Sequence, residues 1–466
     1  MPHLRGTYSA LLALTAVLVS CRGGPTPIPQ AVLARTARAL PFFADPKPSP
    51  ALKLELKAAF NIVLESSGAG DSLGELTAGK FRTPVLARTI GQASRITCRF
   101  PKLMLGLPGR KGRHTKAILT GHCNDSSENN GEMPDERHVS GNYLAHRMAQ
   151  VLGLATLGVK RATISYVDRE SGKRIDSRQT LLLEHAEDVA RRRVGDAKAY
   201  ESNIITKRSY RDLDAQAVAR LHLFQILINN SDWQLCELQP LQRRFLDKLK
   251  GRFLHNVIVI RRPKPSKSLP LPIDLDLASL VGTPAGLATI AGGSYQDALV
   301  VVAQPAFAAK KSALHRWMVM RLQYYRRLHP PDVVAAAIAH LRQQRRSLSA
   351  LLAEDGVSAD ARERGKQHTD AFFSAVETYA KLPRIAGAKH ALYRQAAASK
   401  ATTICSALPA GLAVQLTGRE QGEFVEIRLL QRVAVPLNQK PRLVCAERGE
   451  TDQPALGWVR RAALGG

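Results

Sequence analysis

DLDAQAVARLHLFQILINNSDW, residues 212–233, begins as an apolar helix pattern, with Val218, Leu221, Phe224 and Ile228 on one stripe, and stops at the polar cluster Asn230-Ser231-Asp232-Trp233. Two further polar clusters adjoin short apolar runs: His255-Asn256 in FLHNVIVI (253–260), and Asp274-Leu275-Asp276 closing LPLPIDLD (269–276). A period of two puts Asp274 and Asp276 on one face of a strand, so both could address one ion. A carboxylate after a buried helix, an amide, and two carboxylates at a strand end suit phosphoryl transfer, which needs an orienting carboxylate and oxygen ligands for magnesium. Taken singly, each residue has a plainer reading, because Asp and Asn cap turns and close loops. Trp233 reads as packing, and His122 and His255 as hydrogen-bonded structural residues.

N-terminal to this stretch the pattern is mostly that of strands. Leu54, Leu56, Ala58 and Phe60 alternate with polar residues, and further strand-like runs lie near 82–88, 94–107 and 115–122. Residues 124–138 form a polar loop, after which Ser140 is placed to cap a helix running to about Leu152, with Leu144, Met148 and Val151 on one face. RATISYVD and SRQTLLLEH flank a hairpin tip at Glu170-Ser171-Gly172-Lys173, and a short helix begins near Ala186. C-terminal to the opening stretch, residues 310–395 read as helix-rich, with Met318, Leu322, Val334, Ile338, Leu341 and Leu348 as core. From about 398 the chain is strand-like again.

The motifs INNSDW, LHNV and PLPIDLDLASLV resemble those of a group of bacterial exported proteins that is itself similar to the CotH and HipA-type atypical kinases. The N-terminal half adds a Gly/Arg turn at Gly91–Arg95, CRFPKL from Cys98, TKAILTGHC from Thr115 and NYLAHR from Asn142, so the resemblance spans roughly 55–390. It implies an α+β, two-lobed protein-kinase-like domain, with a β-rich N-lobe over 51–190 and a helical C-lobe over 191–395. It also implies ATP and Mg2+ as cofactors. Lys116 would be the nucleotide-phosphate lysine, Glu184 would lie at the hinge passing the adenine, and Asp232 would be the catalytic-loop aspartate. Asn256 and Asp274 would bind magnesium, with Asp276 beside them. The pattern departs from the family at Asn142, where the helix should offer a glutamate to the lysine. Either Glu136 or Glu132 substitutes, or the lysine is free and the protein is a pseudokinase.

The two ends of the chain point to the cell envelope. MPHLRGTYSALLALTAVLVSC (1–21) has Arg5 as a positive flank, an apolar run from Ala10 to Val19 and the small Ser20, which together make a signal peptide over 1–20 too short to span a bilayer. Leu18-Val19-Ser20-Cys21 matches a bacterial lipobox, so Cys21 is the expected lipidation site; an ordinary secretory signal is the alternative. Arg22 then favours the outer membrane. Residues 21–50 carry Gly-Gly-Pro-Thr-Pro and Pro-Lys-Pro-Ser-Pro and read as a tether. The 45% hydrophobic content is that of a globular chain. In an oxidising compartment we expect disulfides Cys98–Cys123 and Cys405–Cys445, with Cys236 left free. Export directs the net charge of +28 away from nucleic acid and toward lipid headgroups, lipopolysaccharide phosphates or wall polymers; scattered, solvated arginines are the alternative. Residues 398–466, ending Gly457-Trp458-Val459-Arg460, resemble a small bacterial SH3 β-barrel, a module that binds wall peptides or proteins; a β appendage with no ligand is the other reading.

Overall fold

A computed structural model describes residues 51–63, 72–90, 101–108, 114–120, 135–196, 198–201, 213–230, 256–275, 329–382, 384–385, 390–393, 403–408, 414–429 and 456–465. It also describes single positions at 43, 233, 278, 280 and 281 and several between 314 and 325. The chain divides into two compact units. The first holds the described residues up to 281 together with 336–369, and the second holds those of 314–335 and 370–465.

The first unit opens with β1 (Leu52–Ala58), a short α1 (Phe60–Val63), β2 (Ser72–Ala78), β3 (Phe81–Thr89), β4 (Leu103–Pro108) and β5 (His114–Thr120). After α2 (Asp135–Val151) come β6 (Val159–Asp168) and β7 (Arg174–Glu184). These strands close a barrel in the order β1-β2-β3-β4-β5-β7-β6, shut by parallel pairing of β1 with β6 from Leu52↔Ala162 to Ala58↔Asp168. The closure leaves no free edge in the ring. Alternation decides what lies inside: Leu54, Leu56, Leu76, Val85, Ala87, Leu103, Leu105, Ala117, Leu119, Ile164, Tyr166 and Leu182 form one buried cluster. Each large apolar side chain there contributes about 1.5–3 kcal/mol relative to solvent exposure. Phe60 of α1 joins this cluster, its ring edge-on to Tyr166 at 5.3 Å. The expected strands at 82–88 and 115–122 correspond to β3 and β5, whereas β2 answers to no expected strand; SLGELTA buries Leu76 but leaves Leu73 exposed.

Helix α2 begins before the expected cap at Ser140, and the reason is visible in that residue's bonds. Its hydroxyl accepts from the Ser358 backbone N–H at 2.7 Å and donates to the Gly356 carbonyl at 3.3 Å, so it serves a distant turn instead of its own helix. Arg147 and Tyr143 reach the same turn, both bonding the Glu354 carboxylate. Burial, followed by the Glu354 charge, raises the Tyr143 hydroxyl to a pKa of about 12.

After β7 come α3 (Ala186–Val194), β8 (Tyr200–Glu201) and α4 (Ala215–Leu227), then β9 (Val257–Ile260) and β10 (Leu269–Pro272), which form a three-stranded sheet in the order β10-β9-β8. Helix α4 is started by Asp214, whose side chain accepts from the Ala217 N–H, and nearly all of its residues are buried, so it is a core helix rather than a surface stripe. Helices α5 (Pro331–Leu351) and α6 (Ala359–Lys381) follow. Val334, Leu341 and Leu348 are buried as expected, and Ile338 is half-buried.

In the second unit, Met318, Leu322 and Tyr325 are buried, as are Phe372, Phe373 and Tyr379. Strands begin at β11 (Arg384–Ile385) and β12 (His390–Tyr393), earlier than the expected 398 and inside the stretch read as helical. They are followed by β13 (Thr403–Leu408), β14 (Val414–Gln421), β15 (Phe424–Leu429), β16 (Leu456–Arg460) and, after a 3-10 turn, β17 (Leu464–Gly465). β11 pairs with β17, and the rest form a sheet in the order β13-β12-β16-β15-β14. Trp458 is buried in β16, with the Arg419 guanidinium 5.5 Å above its ring. Arg419 is held in turn by Glu426 at 3.1 Å. Cys405 lies in β13; Cys21, Cys98, Cys123, Cys236 and Cys445 lie outside the described residues, as do the signal segment and all of the expected tether except Phe43, which packs against the barrel core. No helix among the described residues is long and apolar enough to cross a membrane.

Candidate functional site

The site is built from the end of α4 outward. Ile228 ends the helix, and Asn229 takes a left-handed conformation at φ 49°. Its N–H bonds the Ile226 carbonyl at 3.1 Å, and that of Asn230 bonds the Gln225 carbonyl at 2.9 Å. This paired arrangement is a helix stop that favours Gly or Asn, so the INN of the motif is first a structural signal. It turns the chain toward Asn230, which bridges to Ala278, while Leu280 donates to the Ile228 carbonyl at 3.2 Å. Trp233 packs edge-on against His222, with ring centroids 4.9 Å apart.

The second and third motifs meet at the open end of the β9–β10 hairpin. Val257 pairs with Pro272, and one residue further the Ile273 N–H bonds the Asn256 carbonyl at 3.0 Å. Asn256 and Asp274 sit at this junction with φ of 53° and 52°, a region that L-residues with side chains rarely occupy. Strained backbone of this kind clusters where side chains must be aimed. Asn256 is buried and Asp274 exposed, so one donor is fixed by packing and the other faces outward. The loop after them is clamped. Arg364 donates to the Leu280 carbonyl at 2.9 Å and to that of Val281 at 3.4 Å, and Gly141 of α2 lies so close that a Cβ there would stand 2.5 Å from the Val281 oxygen.

The barrel supplies cations. The Lys102 Nζ bonds the Asp274 Oδ1 at 2.6 Å, tying the foot of β4 to the third motif across 172 positions of sequence. The Lys116 Nζ, on β5, bonds the Glu187 Oε2 at 3.1 Å. Glu187 lies in the first turn of α3, where its N–H is capped by the His185 Nδ1 at 3.2 Å. Burial, followed by the neighbouring Lys116 charge, lowers the His185 pKa to about 4, so the ring is neutral and can accept that bond. Among the described residues the acid that meets Lys116 is Glu187 of α3, while Asn142 is buried on α2; Glu132 and the side chain of Glu136 lie outside the described residues. The Glu184 carboxylate is engaged internally, accepting from the Gly158 N–H at 2.9 Å and from Arg192 at 2.6 Å.

Of the sequence-predicted set, Asn256 and Asp274 come together, Lys116 and Glu184 lie in neighbouring strands with Ala117 paired to Glu184, and Asp232, Asp276, His122 and His255 lie outside the described residues. Lys102 and Glu187 were not singled out. Lys102 stands within CRFPKL but carries no local mark of a partner so far away, and Glu187 reads as an ordinary first-turn acid. Among the described residues no cluster of three His, Cys, Asp or Glu is present. The oxygen donors at hand, a carboxylate and an amide, are of the hard type that magnesium prefers, and the Lys102 ammonium on the carboxylate would compete with an ion there. By donor chemistry these two residues suit magnesium.

Compared with protein-family models and with curated proteins, the chain matches none.

Proposed function

We propose that this is an exported, lipid-anchored envelope protein whose first unit binds ATP with magnesium and transfers phosphate to an acceptor. The reading is carried by one observation: Asn256 and Asp274 meet in left-handed backbone at one hairpin end, with Lys102 bonded to Asp274. A β barrel followed by helices, a lysine strand preceding α2 and β7 running out to α3 are further support. Asn256 and Asp274 would hold the metal, joined by Asp276, with Asp232 orienting the acceptor hydroxyl and the Lys116 strand flanking the base. Magnesium, when bound, supplies charge neutralisation on the nucleotide phosphates. The chain's own part would be to hold the oxygens in place; Arg364 bonds the Leu280 and Val281 carbonyls in the loop that follows, and the left-handed backbone sets the direction of the two side chains.

Asn142 favours a second reading, a catalytically inactive scaffold in which the fold is retained for binding and the SH3-like β module engages wall peptide or protein. The two are separated by one assay on the mature chain. Phosphotransfer predicts magnesium-dependent ATP binding and autophosphorylation, both abolished in Asp274→Ala; ATP binding without any phosphate transfer leaves the scaffold reading, and no binding removes the nucleotide site altogether. Labelling of Cys21 by a fatty-acid analogue, lost in Cys21→Ser, tests the anchor.

A further inference from the structure

Two lysines stand on the outer face of the same barrel wall, and their places along it differ. In the β4–β5 ladder Leu103 pairs with Leu119 and Gly106 with Lys116. Leu103, Leu105, Ala117 and Leu119 point into the barrel core, so the alternate positions Lys102, Met104, Lys116 and Ile118 face outward together. Lys102 continues the β3–β4 pairing, its carbonyl accepting from the Ile90 N–H at 2.8 Å. Lys116 is level with the end of β7, since its neighbour Ala117 pairs with Glu184, and its ammonium reaches Glu187 just beyond. Lys102 stands four residues further along the wall than the partner of Lys116, roughly 13 Å away at ~3.3 Å per residue, and its ammonium is on Asp274.

We infer that Lys102, rather than Lys116, is the cation that meets the nucleotide phosphates. This rests on the nucleotide-binding reading above. A nucleotide with its base at the β7–α3 junction and its phosphates at Asp274 lies along this wall, with Lys116 at the base end and Lys102 at the phosphate end. Because the Lys102 ammonium and a divalent ion compete for the Asp274 carboxylate, the metal alone binds weakly. A triphosphate offers the ammonium another anion, so nucleotide and metal favour each other's binding.

The test is calorimetric titration of the mature chain and its Lys102→Met, Lys102→Arg and Lys116→Met variants with ATP plus Mg2+, with adenosine, and with Mn2+ alone. Lys102→Met should weaken ATP binding about tenfold while adenosine changes less than about twofold, and should tighten Mn2+ alone. Lys102→Arg should retain most of the ATP affinity. Lys116→Met should weaken ATP and adenosine alike, by about threefold. The inference is overturned if Lys116→Met erases the preference for ATP over adenosine while Lys102→Met keeps it, or if Lys102→Met leaves Mn2+ affinity unchanged. Failure of the wild-type chain to bind ATP overturns the underlying reading as well, and that is seen before any variant is made.

Discussion

Asn229 separates structural from chemical roles within a single motif. It occupies the left-handed position after α4, its N–H bonding the Ile226 carbonyl and its turn bringing the Asn230 N–H to that of Gln225, so its contribution is conformational. Asn229→Gly should leave stability within about 0.5 kcal/mol, whereas Asn229→Ala should cost about 1 kcal/mol, read as a shifted midpoint in urea unfolding. Equal effects of the two substitutions would contradict that assignment. Asn256 and Asp274 share the conformation without sharing the reason: they flank the last pair of the β9–β10 hairpin, Asn256 one residue and Asp274 two residues beyond it. The sequence shows that an amide and an acid close apolar runs there. It does not show that Lys102 pairs with the acid, because no pattern within a strand marks a contact made 172 positions away.

At the scale of elements, legibility follows the range of the forces involved. The barrel interior could be read in Leu54, Leu56 and Ala58 because alternation is local and burial enforces it. The closure of β1 on β6 and the use of Ser140 by Ser358 could not, since both join distant residues. The strands from Arg384 were missed for a related reason: β11 is two residues long and exists through pairing with β17. Helix α2 illustrates how such joins serve the site. Its Gly141 packs against the backbone of Val281, in the loop that follows Asp274, and has no room for a methyl group. Gly141→Ala should therefore destabilise the chain by about 2 kcal/mol and, by displacing that loop, weaken magnesium–ATP binding more than adenosine binding. A stability loss with unchanged ATP affinity would show that the loop does not position the metal ligands.

The whole molecule carries a pH signature. Burial lowers the pKa of His185, His329 and His368 to about 4. A histidine in the unfolded chain titrates near 6.5, so between about 6.5 and about 4 the unfolded state binds more protons than the folded one. Stability should be fully present above about pH 6.5, fall as the pH drops through that window, and level off below about 4, where both states are protonated. Thermal unfolding across this range checks it; a midpoint that rises on acidification from about pH 6.5 to about 4.5 would contradict the buried, neutral state of these rings. The net charge of +28 would suit the proposed anchoring against an anionic envelope surface. Anomalous diffraction from crystals grown with Mn2+ and ATP tests the proposed coordination by Asn256 and Asp274 directly. A manganese peak about 2.1 Å from oxygens of both Asp274 and Asn256 is the predicted result; a peak that touches neither residue, at ligand concentrations that saturate binding, would contradict it.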